Sequence, residues 1–138
     1  MLYRISKSIC FYESDCEDAV SQTILNAYEN LDTLREDKYF RTWITRILIN
    51  ECYRINKQKS REVTFAEYSL TNEAREDNYS FVFTEIMKLP QKIRMVVQLY
   101  YVEDYSVSEI SSILHIPSGT VKSRLSAGRA KLKSILEE

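Results

Sequence analysis

Between Ile116 and Ser134 the chain reads IPSGTVKSRLSAGRAKLKS, and Lys122, Arg124, Arg129, Lys131 and Lys133 recur there with no acid before Glu137. Cations interleaved with the hydroxyls of Thr120, Ser123 and Ser126 are the side chains that grip a phosphate backbone and reach base edges. Arginine or lysine on guanine is the commonest such contact and contributes about 1–3 kcal/mol of discrimination. Val121, Leu125, Gly128, Leu132 and Ile135 fall at helical spacing. They predict a helix that buries one face and leaves Thr120, Lys122, Ser123, Arg124, Ser126 and Arg129 for phosphates and bases. Lys131 and Lys133 are also explained by their place near a helix C-terminus, where cations complement the dipole.

Such a helix must be held at a fixed angle to what it reads. Just upstream, Ser106 and Glu109 form a capping-box pattern, and Ile110, Ile113 and Leu114 point a short helix inward. A brief turn from His115 to Pro117 joins the two, which is a helix-turn-helix pattern. Pro117 presets the backbone for the first helical turn and Gly119 keeps that turn slim. Gly128 marks either close packing against the preceding helix or a bend. Further upstream, helices are predicted over Phe81 to Lys88 and Gln91 to Val102, divided by Pro90.

The first half is helical as well. Both prolines and both glycines lie at or after Pro90, too few turn residues for a sheet protein. Ser14 and Glu17 resemble a capping box, followed by a stripe of Val20, Ile24, Ala27, Tyr28 and Leu31 that the domain core is expected to claim. A second helix, in YFRTWITRILINECYRINKQKSR, groups Phe40, Trp43, Ile44, Ile47, Leu48, Cys52 and Ile55 as the packing face. Arg41, Arg46, Asn50, Arg54 and Lys57 lie largely off it. From Arg61 to about Ser80 the periodicity fades and acids dominate, which reads as an acidic linker containing a domain boundary. The organisation is therefore all-α, with domains at 1–60 and 81–138 joined by residues 61–80.

Composition excludes several functions. The formal net charge is −1, so a nucleic-acid contact has to be local rather than spread over the molecule. No apolar run approaches the roughly 20 residues of a membrane span, and the start lacks a secretory h-region, so a cytoplasmic protein is expected. Cys10, Cys16 and Cys52 make no metal-binding spacing with the one histidine, His115, and read as reduced, buried thiols. With no acid–base pair, nucleophile constellation or phosphate loop, neither an enzyme nor a cofactor, metal or small-molecule substrate is expected.

These stretches resemble the extracytoplasmic-function (ECF) sigma factors of the sigma-70 superfamily. EDAVSQTILNAY is similar to their polymerase-binding helix in region 2, FRTWITRILIN to the promoter-reading helix after it, and LPQKIRMVVQLYYVEDYSVSEISSILHIPSGTVKSRL to region 4. The resemblance implies a transcription initiation factor whose partners are core RNA polymerase, promoter DNA and an anti-sigma factor. It places Asp18, Gln22, Leu25, Asn26 and Glu29 against the polymerase clamp. It places Lys38, Tyr39 and Asn50 at the −10 element, where REDKY aligns with a loop that captures a flipped base and Trp43 is read as core. It places base reading of the −35 element on Lys122, Ser123 and Ser126, with Thr120 and Arg124 nearer phosphate, and the flap on the same second domain.

Departures from the family pattern leave room for other readings. Ala127 stands where a basic residue is frequent, and Ser21–Gln22 where a Gln-Glu pair is frequent. Met1 falls inside what resembles the second helix of region 2, which would leave Ile5, Ile9, Val20 and Ile24 uncovered. An alternative is a sigma mimic or degenerate sigma that binds an anti-sigma factor without directing transcription. A LuxR-type activator is a further alternative, against which FRTWITRILIN argues.

Overall fold

The computed structural model describes residues 1–59 and 81–136; the acidic segment expected as a linker lies outside them. The chain divides into two compact units, Met1–Glu76 and Asp77–Glu138. All regular structure among the described residues is helical.

In the first unit α1 (Leu2–Lys7), α2 (Glu13–Glu29) and α3 (Phe40–Lys59) pack on one another. Their shared core is Ile5, Ile9, Cys10, Cys16, Ala19, Ala27, Ile44, Leu48, Ile49, Cys52 and Ile55. Three expectations change here. Ile5 and Ile9 are fully covered, because α1 lies against both α2 and α3. The buried seam of α2 is Cys16, Ala19, Thr23 and Ala27, whereas Ile24 is 56% and Tyr28 81% exposed and Val20 only half-buried. Small residues at i, i+3, i+4 spacing let two helices approach closely, so the bulky stripe turns outward. Thr23 is tolerated inside because its hydroxyl donates to the Ala19 carbonyl at 2.6 Å. Finally, Ser14 does not cap: α2 starts at Glu13 with Tyr12 in the capping position, two residues before Ser14, and no side chain caps its N-terminus.

Helix α3 is also rotated from its expected face. Its buried residues are Ile44, Thr45, Leu48, Ile49, Cys52 and Ile55, while Phe40 is exposed and Trp43 and Ile47 are half-buried. Cys10, Cys16 and Cys52 meet in the core as free thiols. Cys16 acts to lower the Cys10 pKa, but a hydrogen bond with Cys52 and burial outweigh it and push Cys10 up to about 12. An un-ionised buried thiol is a packing group, not a nucleophile.

The second unit contains α4 (Phe81–Met87), α5 (Gln91–Val97), α6 (Val107–Leu114) and α7 (Ser118–Leu136). The α5 helix does not run on to Val102. It widens into a π turn over Gln98–Val102, closed by the Glu103 amide donating to the Gln98 carbonyl at 3.1 Å. The wider turn buries Leu99 and leaves Tyr100 and Tyr101 exposed, edge to face with centroids 4.9 Å apart. Met95, Val96, Val97, Leu99, Tyr105, Ile110, Ile113, Val121 and Leu125 form the core.

Candidate nucleic-acid interface

The second unit builds a helix-turn-helix from its sequence signals. Ser106 accepts from the Glu109 amide at 3.1 Å while Glu109 accepts from the Ser106 amide at 2.9 Å, completing the capping box. Ile110 and Ile113 are buried and Leu114 is half-buried. His115 ends α6 in the left-handed region, φ 55°, which turns the chain sharply. Ser111 then braces the turn by donating to the Ile116 carbonyl at 2.6 Å. Pro117 sits one position before the helix rather than in its first turn: its carbonyl accepts from the Thr120 and Val121 amides at 3.0 and 3.1 Å. Because proline has no N–H to leave unpaired at the turn, the entry stays compact.

Val121, Leu125 and Gly128 are buried, and a Cβ on Gly128 would stand 2.5 Å from Val97 Cγ2 and 3.1 Å from Ile93 Cγ2. The glycine therefore serves close packing, against α5 rather than against the preceding helix. Opposite this seam α7 exposes Gly119, Ser123, Ser126 and Ala130. By helical spacing Lys122, Arg129 and Lys133 flank that small-residue ridge on one side, with Thr120, Arg124 and Lys131 on the other. Lys122, Ser123 and Ser126 are exposed near the N-terminal end, with Thr120 and Arg124 half-buried beside them. Ala127, where the family pattern has a cation, is half-buried. Arg129 is separated from this group, since its guanidinium donates to Tyr101 Oη at 3.1 Å. That hydrogen bond pushes the Arg129 pKa above its ordinary value. Arg129 lies at the rim of an apolar cleft of 430 Å³ lined by Val82, Ile86, Val97, Tyr101, Leu132 and Lys133.

In the first unit, the outward face of α3 carries Trp43, Arg46, Asn50, Arg54 and Lys57 at three- and four-residue spacing, with Asn50, Arg54 and Lys57 exposed. Trp43 borders this stripe and touches exposed Phe40, centroids 5.9 Å apart. The turn Asp37–Tyr39 before α3 is wholly exposed. Lys38 lies 5.1 Å over the Tyr39 ring and 3.2 Å from Glu36. Lys38, Tyr39 and Asn50 are therefore all accessible. Phe40, expected on the packing face, and Tyr53, at 39% exposure and not singled out by the sequence, are aromatic surface residues. Their signal was the phase of α3, which apolar content alone misassigned.

On α2, Asp18, Leu25 and Glu29 are exposed and Gln22 and Asn26 half-buried. They share the surface with Ile24, Tyr28 and, just beyond the helix, Leu31, which is 53% exposed. Among the described residues no group of His, Cys, Asp and Glu is placed to hold a metal, and no helix is long and apolar enough to cross a membrane.

A helix-turn-helix with a basic-flanked second helix, in a chain whose other unit carries a basic-aromatic stripe of its own, defines a DNA-binding regulator. Residues 1–62 match the sigma-70 region 2 model and residues 83–132 the sigma-70 region 4 model. The ECF RNA polymerase sigma factor SigW of Bacillus subtilis is 32% identical, the match covering 90% of this chain and 76% of that protein. The ECF RNA polymerase sigma-E factor of Escherichia coli K12 is 30% identical over 83% of this chain and 70% of its own length. In fold, the chain resembles the Bartonella quintana sigma factor RpoE, solved in complex with the anti-sigma factor NepR. The TM-score is 0.78 at 22% identity, covering 99% of this chain and 89% of that one. It also resembles CnrH in complex with the cytosolic domain of CnrY, with a TM-score of 0.70 at 25% identity over 99% and 80% of the two chains. The chain belongs to the ECF sigma factors of the sigma-70 family and is a transcription initiation factor.

Proposed function

We propose that residues 1–60 bind core RNA polymerase through α2 and the −10 element through α3 and the turn before it, while residues 81–138 read the −35 element with α7. Residues 61–80 connect the two. The observation that carries this reading is a pairing within one chain. A helix-turn-helix turns Lys122, Ser123 and Ser126 to solvent, and a separate helix with the turn after it holds Ile24, Leu25, Tyr28 and Leu31 outward without cover from its own unit. Exposed apolar side chains rimmed by polar ones mark a protein partner.

In this reading Asp18, Gln22, Asn26 and Glu29 rim the polymerase contact, and Leu25 with Tyr28 supplies its apolar centre. On α3, Asn50 offers the paired donor and acceptor that base edges require, and Tyr39 a ring on which an unpaired base stacks. On α7 the small ridge lets the helix sit deep in the major groove, where Lys122, Ser123 and Ser126 reach bases and Thr120 and Arg124 meet phosphate. The cleft beside Arg129 takes the polymerase flap, so Arg129 serves the rim of that contact as well as the DNA side. An anti-sigma factor covers the same apolar surfaces and so excludes polymerase. The protein acts in the cytoplasm and carries out no catalysis of its own.

Run-off transcription with purified core polymerase tests the reading. A transcript that depends on both promoter elements is expected. No co-elution with core, under conditions where another ECF factor co-elutes, overturns it.

A further inference from the structure

Beside the outward stripe of α3 stands one feature that promoter binding alone does not require: an acid paired with one of the stripe's cations. Glu51 is half-buried, its side chain 14% exposed. One carboxylate oxygen, Oε2, accepts from Arg54 Nε at 3.0 Å and lies 2.9 Å from Arg54 Nη2. The other, Oε1, accepts from Asn26 Nδ2 at 3.0 Å, and Asn26 in turn accepts from Gln22 Nε2 at 2.9 Å. Donors from two helices therefore fix the anion. Arg54, with 57% of its side chain exposed, is the partner free to swing.

The pair at the preceding turn is built differently. Lys38 and Glu36 are both exposed, 68% and 57%, and stand 3.2 Å apart. Such a pair is weakly held and screened, so a phosphate displaces the glutamate readily. Arg54 instead places Nε and Nη2 on a single oxygen of an anchored acceptor, committing the edge of the guanidinium that would otherwise meet a phosphate oxygen. Glu51 thus occupies the site on Arg54 that a DNA phosphate would take.

We propose that Glu51 is a specificity-determining residue, holding Arg54 fixed and charge-compensated on the promoter-facing stripe so that it does not grip DNA backbone indiscriminately. With its Nε side committed, Arg54 offers its remaining N–H groups in one direction, which suits a particular base or a correctly placed phosphate. A chain of net charge −1 already has little attraction for bulk DNA, and Glu51 extends that restraint to the surface nearest the promoter. The inference rests on the reading that this stripe meets the −10 element.

The test uses reconstituted holoenzyme and two DNA fragments of equal length, one with the −10 element and one with it scrambled, across a salt series. Glu51→Gln retains shape and the amide contact but removes the charge. It is expected to tighten binding to the scrambled fragment about three- to fivefold and to steepen log K against log salt by about 0.9, one phosphate's worth. Discrimination falls by a similar factor because promoter binding changes less. In an Arg54→Ala background Glu51→Gln is expected to do nothing. Glu51→Ala repeats the measurement without an amide, and thermal midpoint and core affinity confirm an intact fold. Unchanged scrambled-DNA affinity and slope in both variants overturns the inference, as does persistence of the effect without Arg54. If Arg54→Ala and Asn50→Ala both leave promoter binding unchanged, the promoter-facing assignment fails, and the inference with it.

Discussion

Helices α2 and α7 use small residues in opposite ways. In α2, Cys16, Ala19, Thr23 and Ala27 face inward and bulky Ile24, Leu25 and Tyr28 face out. In α7, Val121 and Leu125 face inward, and Gly119, Ser123, Ser126 and Ala130 form the outward ridge. The inner seam of α2 brings backbones together and leaves apolar bulk at the surface, where, in the function proposed above, burial against a protein partner stabilises the complex. The outer ridge of α7 removes bulk, which in the proposed function lets the helix fit a groove whose floor is read by hydrogen bonds. Residue size thus reports the partner only once the inner face is known.

The largest effect separates the two faces of α2. Tyr28→Ala combined with Leu25→Ala is expected to weaken core polymerase binding at least thirtyfold, because truncating a central hot spot costs about 2 kcal/mol or more. The thermal midpoint should stay, since both side chains lie at the surface. Ala19→Leu should do the opposite, overpacking a site with no exposed area at a cost of about 1–3 kcal/mol in stability. Titration against labelled core alongside thermal unfolding checks both. Core affinity reduced less than threefold by the double change would break the comparison.

On α7 the two flanks of the outward ridge should separate by specificity. Lys122→Ala is expected to relax preference at one −35 position by about 1–3 kcal/mol, because it removes a base-edge contact. Arg124→Ala should weaken all sequences alike and lower the salt slope by about 1, as for a phosphate contact. A panel of single −35 substitutions measures the difference, and equal losses across the panel for both variants would reject it.

Gly128 tests the inner side of the same helix. Gly128→Ala improves helix propensity by up to about 1 kcal/mol. The new methyl, however, would stand 2.5 Å from Val97 Cγ2, on a fully buried, β-branched side chain with little freedom to move. Overpacking of this kind costs about 1–3 kcal/mol, so a net destabilisation of about 1 kcal/mol is expected in chemical denaturation. A stabilised variant would show that α5 and α7 separate without penalty.

The second unit was legible because its sequence is punctuated. Pro90, the Ser106–Glu109 box and Pro117 fix where helices stop and start, and the apolar residues between them have only one partner surface to meet. Residues 1–59 contain no glycine or proline, so the phase of α2 and α3 rested on apolar periodicity alone. That signal reports the most apolar face, and in α2 that face turns to solvent rather than to the core. The seam residues Cys16, Ala19, Thr23 and Ala27 are too small and mixed to dominate a periodic pattern. The same signal points Trp43 and Phe40 inward, whereas Trp43 is half-buried and Phe40 exposed. The Glu51 network was invisible because it joins residues 25 positions apart through amide and carboxylate contacts that no local pattern encodes.

The smallest expected effect concerns two stretches with the same serine-to-glutamate spacing. Ser106 and Glu109 form both reciprocal bonds of a capping box at the start of α6. Ser106→Ala should therefore remove about 1 kcal/mol from the second unit, the usual loss when a serine cap becomes alanine. Ser14 and Glu17 have identical spacing, yet Ser14 is an exposed residue inside the first turn of α2, which begins at Glu13 after Tyr12. Tyr12 takes the capping position with extended backbone, φ −94° and ψ 137°, and Lys59 lies 4.5 Å over its ring, which fixes it against the end of α3. With no cap to lose and a better helix former gained, Ser14→Ala should leave stability unchanged or raise it by a few tenths of a kcal/mol. Denaturant midpoints of the two variants, measured in the same chain, give the contrast directly. A loss at Ser14 comparable to that at Ser106 would place the cap of α2 at Ser14 and not at Tyr12.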